Sequence, residues 1–195
     1  MKTNRHLTVL LATFWCLASS RTIKSAEGCP DLEGKDAAAH VQYLSGDRPK
    51  LVAACVISSV KYLGIKPHAA QASAVLIKYL DYPDQRSEQV GGKAWTTLYR
   101  YPAVDVLSSF GKPVVPELIA AIVDADSPDL VRRNAAFTIG LIYGLTRPEP
   151  ISVLVTAAHA QADPLAENRL MDEARWLAAR CIPQYRNDCE NAVLK

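Results

Sequence analysis

The chain has 195 residues, of which 49% are hydrophobic and 22% charged, with a formal net charge of +2. That balance excludes an intrinsically disordered chain and suffices for one compact unit with a sizeable core.

Lys2 and Arg5 open the chain on positive charge, residues 7–18 carry none, and the small residues Ala18, Ser19 and Ser20 follow. The pattern predicts a secretory signal peptide over residues 1–25, cut within 20–26, because the apolar run falls short of the about 20 residues that span a bilayer. Bulky Phe14 and Trp15 stand before Cys16 where a lipoprotein signal has small residues, which argues against lipid attachment. Four of the 22 Lys and Arg (Lys2, Arg5, Arg21 and Lys24) and none of the 20 Asp and Glu lie in this segment, so residues 26–195 carry 18 against 20. The expectation is an exported body, periplasmic or extracellular, with no stable membrane span. Its near-neutral balance gives no basic surface for nucleic acid.

Beyond the signal the helical period dominates: apolar and alanine positions recur three or four apart, and Pro, Gly and Asp mark the breaks. A short helix is predicted over residues 36–44. The next rests on the stripe of Leu51, Val52, Cys55, Val56, Ser59, Val60 and Leu63 between Pro49 and Gly64. Further helices are predicted over 67–80, up to Phe110 and Gly111, and over 113–123, 128–143, 149–160 and 164–181. Helices of this length joined by short turns pack as antiparallel neighbours, so the fold class is all-α.

The turns recur in two kinds. Gly64-Ile65-Lys66-Pro67 resembles Gly111-Lys112-Pro113 and, more loosely, Gly144-Leu145-Thr146-Arg147-Pro148. Between them come Asp47-Arg48-Pro49, Asp126-Ser127-Pro128 and Ala162-Asp163-Pro164. Pro49 and Pro128 are 79 residues apart and Pro128 and Pro164 are 36 apart, which fits a unit of about 35 to 45 residues.

Within residues 114–140, Pro116, Asp124, Val131, Arg132, Ala135, Ala136 and Gly140 stand in the order and setting of a HEAT repeat, and this stretch resembles that family. The likeness extends more weakly over residues 36–181. It implies a right-handed α-solenoid of antiparallel helix pairs, about four HEAT-like repeats within residues 26–195, whose second helices line the inner face. In such a repeat the alanines and Gly140 permit close helix approach, Asp and Pro set the turn, and Arg132 hydrogen-bonds turn carbonyls or aspartate.

The search for chemistry yields little. No GxSxG, HExxH or CxxC occurs, and Gly91-Gly92-Lys93 lacks the strand and spacing of a phosphate loop. Asp172 and Glu173, and Asp124, Asp126 and Asp129, read as caps and dipole partners rather than metal ligands. No catalytic role, metal or cofactor is expected. Some HEAT-like proteins are chromophore lyases, an analogy that fits export poorly.

Removal of Cys16 leaves Cys29, Cys55, Cys181 and Cys189, an even number suited to disulfides in an oxidising compartment. Four cysteines permit three pairings, and proximity along the chain favours Cys29 with Cys55 and Cys181 with Cys189. The segment 82–101 departs most from the repeat and ends in Trp95, Tyr99, Arg100 and Tyr101. Aromatic residues with arginine are enriched where proteins bind partners, although Trp95 and Tyr99, four apart, also suit a buried helical face. Trp176, between Ala174 and Leu177, is expected in the core. The functional expectation is an exported scaffold that binds a protein or peptide partner without catalysis; the rival is a structural component of an envelope assembly.

Overall fold

A computed structural model describes residues 35–46, 48, 53, 56, 57, 60, 69–83 and 100–195. Every regular element among the described residues is helical. The eight α-helices there are α1 (Ala37–Leu44), α2 (Ala69–Leu76), α3 (Pro102–Phe110), α4 (Val115–Val123), α5 (Asp129–Tyr143), α6 (Glu149–His159), α7 (Pro164–Ala178) and α8 (Arg186–Val193). Ala53, Val56, Ile57 and Val60 are also helical and buried; Val56 and Val60 belong to the stripe predicted there, whereas Ala53 and Ile57 do not. The signal segment, Cys29, Cys55, Gly64 and residues 84–99, with Trp95 and Tyr99, lie outside the described residues.

Local chemistry sets the helix ends. The Asp36 and Asp163 carboxylates accept from the backbone N–H groups of Ala39 (2.8 Å) and Leu165 (3.0 Å), capping α1 and α7. Proline stands in the first turn of α3, α4, α6 and α7, where its missing N–H leaves no helical bond unmade. Gly111 (φ 78°) and Gly144 (φ 103°) end α3 and α5 in a backbone region that other residues rarely adopt.

Packing follows the apolar stripes. α4 packs on α5 and α6 on α7; α5 in turn lies against α3 and α7, and α4 also meets α7. Leu107, Leu118, Ile122, Ile139, Ile151, Leu154, Leu170 and Leu177 are fully buried at these contacts, each contributing about 1.5–3 kcal/mol of hydrophobic stabilisation. Gly140 sits at the α5–α7 approach: a Cβ there would stand 3.2 Å from Leu177 Cδ2 and 2.7 Å from Leu145 Cδ1. Two buried polar bonds tie the earlier helices, one joining α1 to the turn after α2 and one joining that turn to α5. The Tyr79 hydroxyl donates to the Leu44 carbonyl (2.7 Å), and Asn134 Nδ2 donates to the Leu80 carbonyl (2.7 Å).

The C-terminus departs from expectation. α7 stops at Ala178, and a 3₁₀ turn, Pro183–Tyr185, leads into α8, a helix that the sequence reading did not foresee. Only Cys189 and Ala192 of α8 are buried, so it has no apolar stripe to announce it. The expected Cys181–Cys189 bridge is present and fastens α8 behind α7, and a bridge of this kind fits an oxidising environment. No single helix among the described residues is long and apolar enough to cross a membrane; α3 with residues 112–123 carries enough apolar length, but turns through 113° and is largely core.

Candidate functional site

Two hollows open side by side between α5 and α7. They share Leu130, an apolar side chain left 40% exposed, and Arg133. Two helical stripes build them: Leu130, Arg133, Asn134 and Phe137 on α5, and Arg169, Asp172, Glu173, Trp176 and Arg180 on and just beyond α7. Steps of three and four residues keep each stripe on one face of its helix.

In the first hollow, of about 470 Å³, the charges are taken up by the fold. Arg132 donates to the Ser127 carbonyl and to the Asp129 carboxylate, the turn-holding role expected for it. Arg169 donates to the Val123 carbonyl at the end of α4, and Arg175 pairs with Asp172 at 2.9 Å. Asp124 accepts from the Asp126 N–H (3.1 Å) and the Ser127 hydroxyl (3.1 Å), closing the α4–α5 turn.

The second hollow is a groove of about 300 Å³ lined by Arg100, Tyr101, Leu130, Arg133, Asn134, Phe137, Trp176 and Arg180. Phe137 meets the Trp176 indole edge to face at 6.3 Å between ring centres. The guanidinium of Arg180 lies 3.4 Å, and that of Arg133 4.5 Å, from the indole centre, well inside cation–π range. Arg100 stands 5.8 Å from the Tyr101 ring at the mouth. Trp176 is therefore not enclosed in the core as expected: it touches the core on one side and forms the groove wall on the other.

Arg133 Nε lies 3.3 Å from a carboxylate oxygen of Glu173, whose side chain is only 7% exposed. The fit is loose, because that Glu173 oxygen and Nη1 of Arg133 are buried without a hydrogen-bond partner. Burial pushes the Glu173 carboxyl above its ordinary range, and the nearby Arg133 and Arg132 offset this only in part. Desolvation, then Arg133, draws the Arg180 guanidinium below its usual range, with Glu173 opposing, and an arginine remains charged under such shifts. Arg100 and Arg180 have no carboxylate within ion-pair distance among the described residues. Among the described residues the groove is thus lined by three guanidiniums, with one buried carboxylate, Glu173, against Arg133.

Of the residues singled out in the sequence, Arg100 and Tyr101 come to the groove, and Cys181 and Cys189 form the bridge beyond α7. Arg133, Trp176 and Arg180 were missed as site residues. Their signal was the coincidence of two i, i+3/i+4 stripes that each place arginine beside an aromatic side chain. The described residues lining the two hollows include no Ser, Cys, His or Lys, and among the described residues no three His, Cys, Asp or Glu side chains cluster to hold a metal. No family model, curated protein or solved structure matches the chain.

Proposed function

We propose that the protein is an exported, non-catalytic interaction module that holds a protein or peptide partner in the groove between α5 and α7. The observation that carries this reading is the convergence of Arg100, Arg133 and Arg180 on half-buried Trp176, with Tyr101 at the mouth. Tryptophan, tyrosine and arginine are the side chains that dominate binding hot spots, and a pocket between helices supplies the surrounding exclusion of water.

A solenoid of HEAT-like pairs is the architecture in which such a groove belongs. The packing of α4 on α5 and α6 on α7, with α5 beside α7, supports it, as does the close approach at Gly140. In that architecture α5 and α7 are second helices and face inward. The predicted signal peptide and the Cys181–Cys189 bridge support export.

The test is an affinity capture from envelope extract, comparing wild type with a Tyr101→Ala, Arg180→Gln variant of equal melting temperature. A discrete partner retained by wild type and released by the variant is the expected result. A partner retained equally by both contradicts the groove as the binding surface.

A further inference from the structure

We infer that the groove takes a short acidic segment of its partner, one that places one or two carboxylates on Arg180, Arg133 and Arg100 while an apolar neighbour covers Trp176. This inference rests on the groove's being the binding surface proposed above. The geometry defines the ligand in three steps.

First, the guanidinium carbons of Arg180 and Arg133 lie over the indole, 3.4 and 4.5 Å from its centre. Stacking occupies the flat face of a guanidinium and leaves its N–H edge for in-plane donation, the arrangement that meets a carboxylate with two parallel bonds. Stacking also restrains two long side chains beforehand, which reduces the ordering cost of binding.

Second, the charge is unmatched among the described residues. Arg180 donates one bond, to the Trp176 carbonyl (2.9 Å), and Arg133 has a single loose contact with Glu173. The buried Glu173 side chain lines the adjoining hollow rather than this groove, and Arg133, with Nη1 buried, still exposes 36% of its side chain.

Third, the positive region is small. The adjoining hollow exposes the carboxylates of Asp129 (95%) and Asp172 (70%), and its own Arg132 and Arg169 are held by backbone carbonyls. A polyanion that followed the channel would run into those aspartates. With 18 basic and 20 acidic residues in 26–195, the chain also lacks the field that draws nucleic acid or an anionic bilayer. A short peptide with local acidity fits both the volume and the charge pattern.

The experiment is selection of short random peptides displayed on phage against the purified full-length protein, followed by affinity measurement of the synthesised winners. The expected winners carry Asp or Glu beside an apolar residue. Binding should weaken at least about tenfold for the matching Asn or Gln peptide and for Arg180→Gln, and nearly as much for Arg180→Lys, which keeps the charge and loses the fork. Winners with no acidic preference that are nonetheless lost on Tyr101→Ala overturn the acidic ligand and leave the groove as a binding surface. Acidic winners that bind wild type and Arg180→Gln equally overturn both, as does the absence of any enrichment. Displacement of the winners by inorganic phosphate or by phosphatidylglycerol vesicles at matched ionic strength overturns the assignment to a peptide carboxylate.

Discussion

The two hollows between α5 and α7 are each lined by three arginines and share a wall, yet their arginines stand in opposite conditions. In the first, Arg132 and Arg169 donate to the Ser127 and Val123 carbonyls and hold turns and helix ends in place. In the second, Arg133 and Arg180 lie over Trp176, Arg180 donating one bond to the Trp176 carbonyl and Arg133 meeting Glu173 only loosely, and Arg100 has no ion-pair partner among the described residues. An arginine count would rank the hollows alike. What separates them is the identity of each guanidinium's acceptor, because a donor already satisfied by a carbonyl must give that bond up before it binds anything else.

The comparison breaks most severely through the core packing that holds α5 against α7. Leu177→Ala deletes a fully buried side chain beside Gly140 and should cost about 2–5 kcal/mol, read from denaturant unfolding, with the groove's function lost along with the fold. Next comes the bridge that fastens α8 behind α7. The two cysteines are eight apart, and replacing both by serine should cost about 2–3 kcal/mol by loop-entropy arithmetic; an unchanged melting temperature would show that α8 docks without it. Within the first hollow, Arg132→Ala removes a turn-holding donor and should cost about 1 kcal/mol while leaving partner binding intact.

The carboxylate between the hollows predicts a pH effect whose sign follows from its burial. The folded-state pKa of Glu173 lies above its unfolded value, so protonation favours the fold. That contribution is complete below the ordinary value of 4.5 and is lost as the pH rises through the folded-state pKa. Glu173→Gln stays uncharged throughout, so its stability relative to wild type should increase from acid toward neutral pH. A difference that is flat, or that falls with pH, contradicts the dominance of desolvation over Arg133. The smallest effect on stability belongs to the second hollow. Arg180→Gln should shift unfolding by about 0.5 kcal/mol or less, while binding of the partner falls sharply.

The fold was far more legible in the sequence than the site. Helical periodicity placed the elements over 113–178 to within a few residues, because Pro116, Pro150 and Pro164 start helices and Gly111 and Gly144 end them by backbone conformation alone. α8 escaped because a disulfide, rather than an apolar stripe, anchors it. Arg132 could be assigned from its place after a turn, since its acceptors lie three and five residues away. Arg133, Trp176 and Arg180 could not, because the groove depends on which helices lie side by side, and the contact of Arg133 with Trp176 spans 43 residues of sequence. A tryptophan between Ala174 and Leu177 looks like core from its own helix, and only the position of α5 shows that one side of it is open.

The most direct test of the groove as the binding surface is site-specific photo-crosslinking in envelope extract. A photoreactive phenylalanine derivative would replace Tyr101 in the groove or, as the control, exposed Thr156 on α6. A discrete adduct from position 101 and none from position 156 is the predicted result; an adduct from position 156 with none from 101 would place the partner on another face and contradict the account.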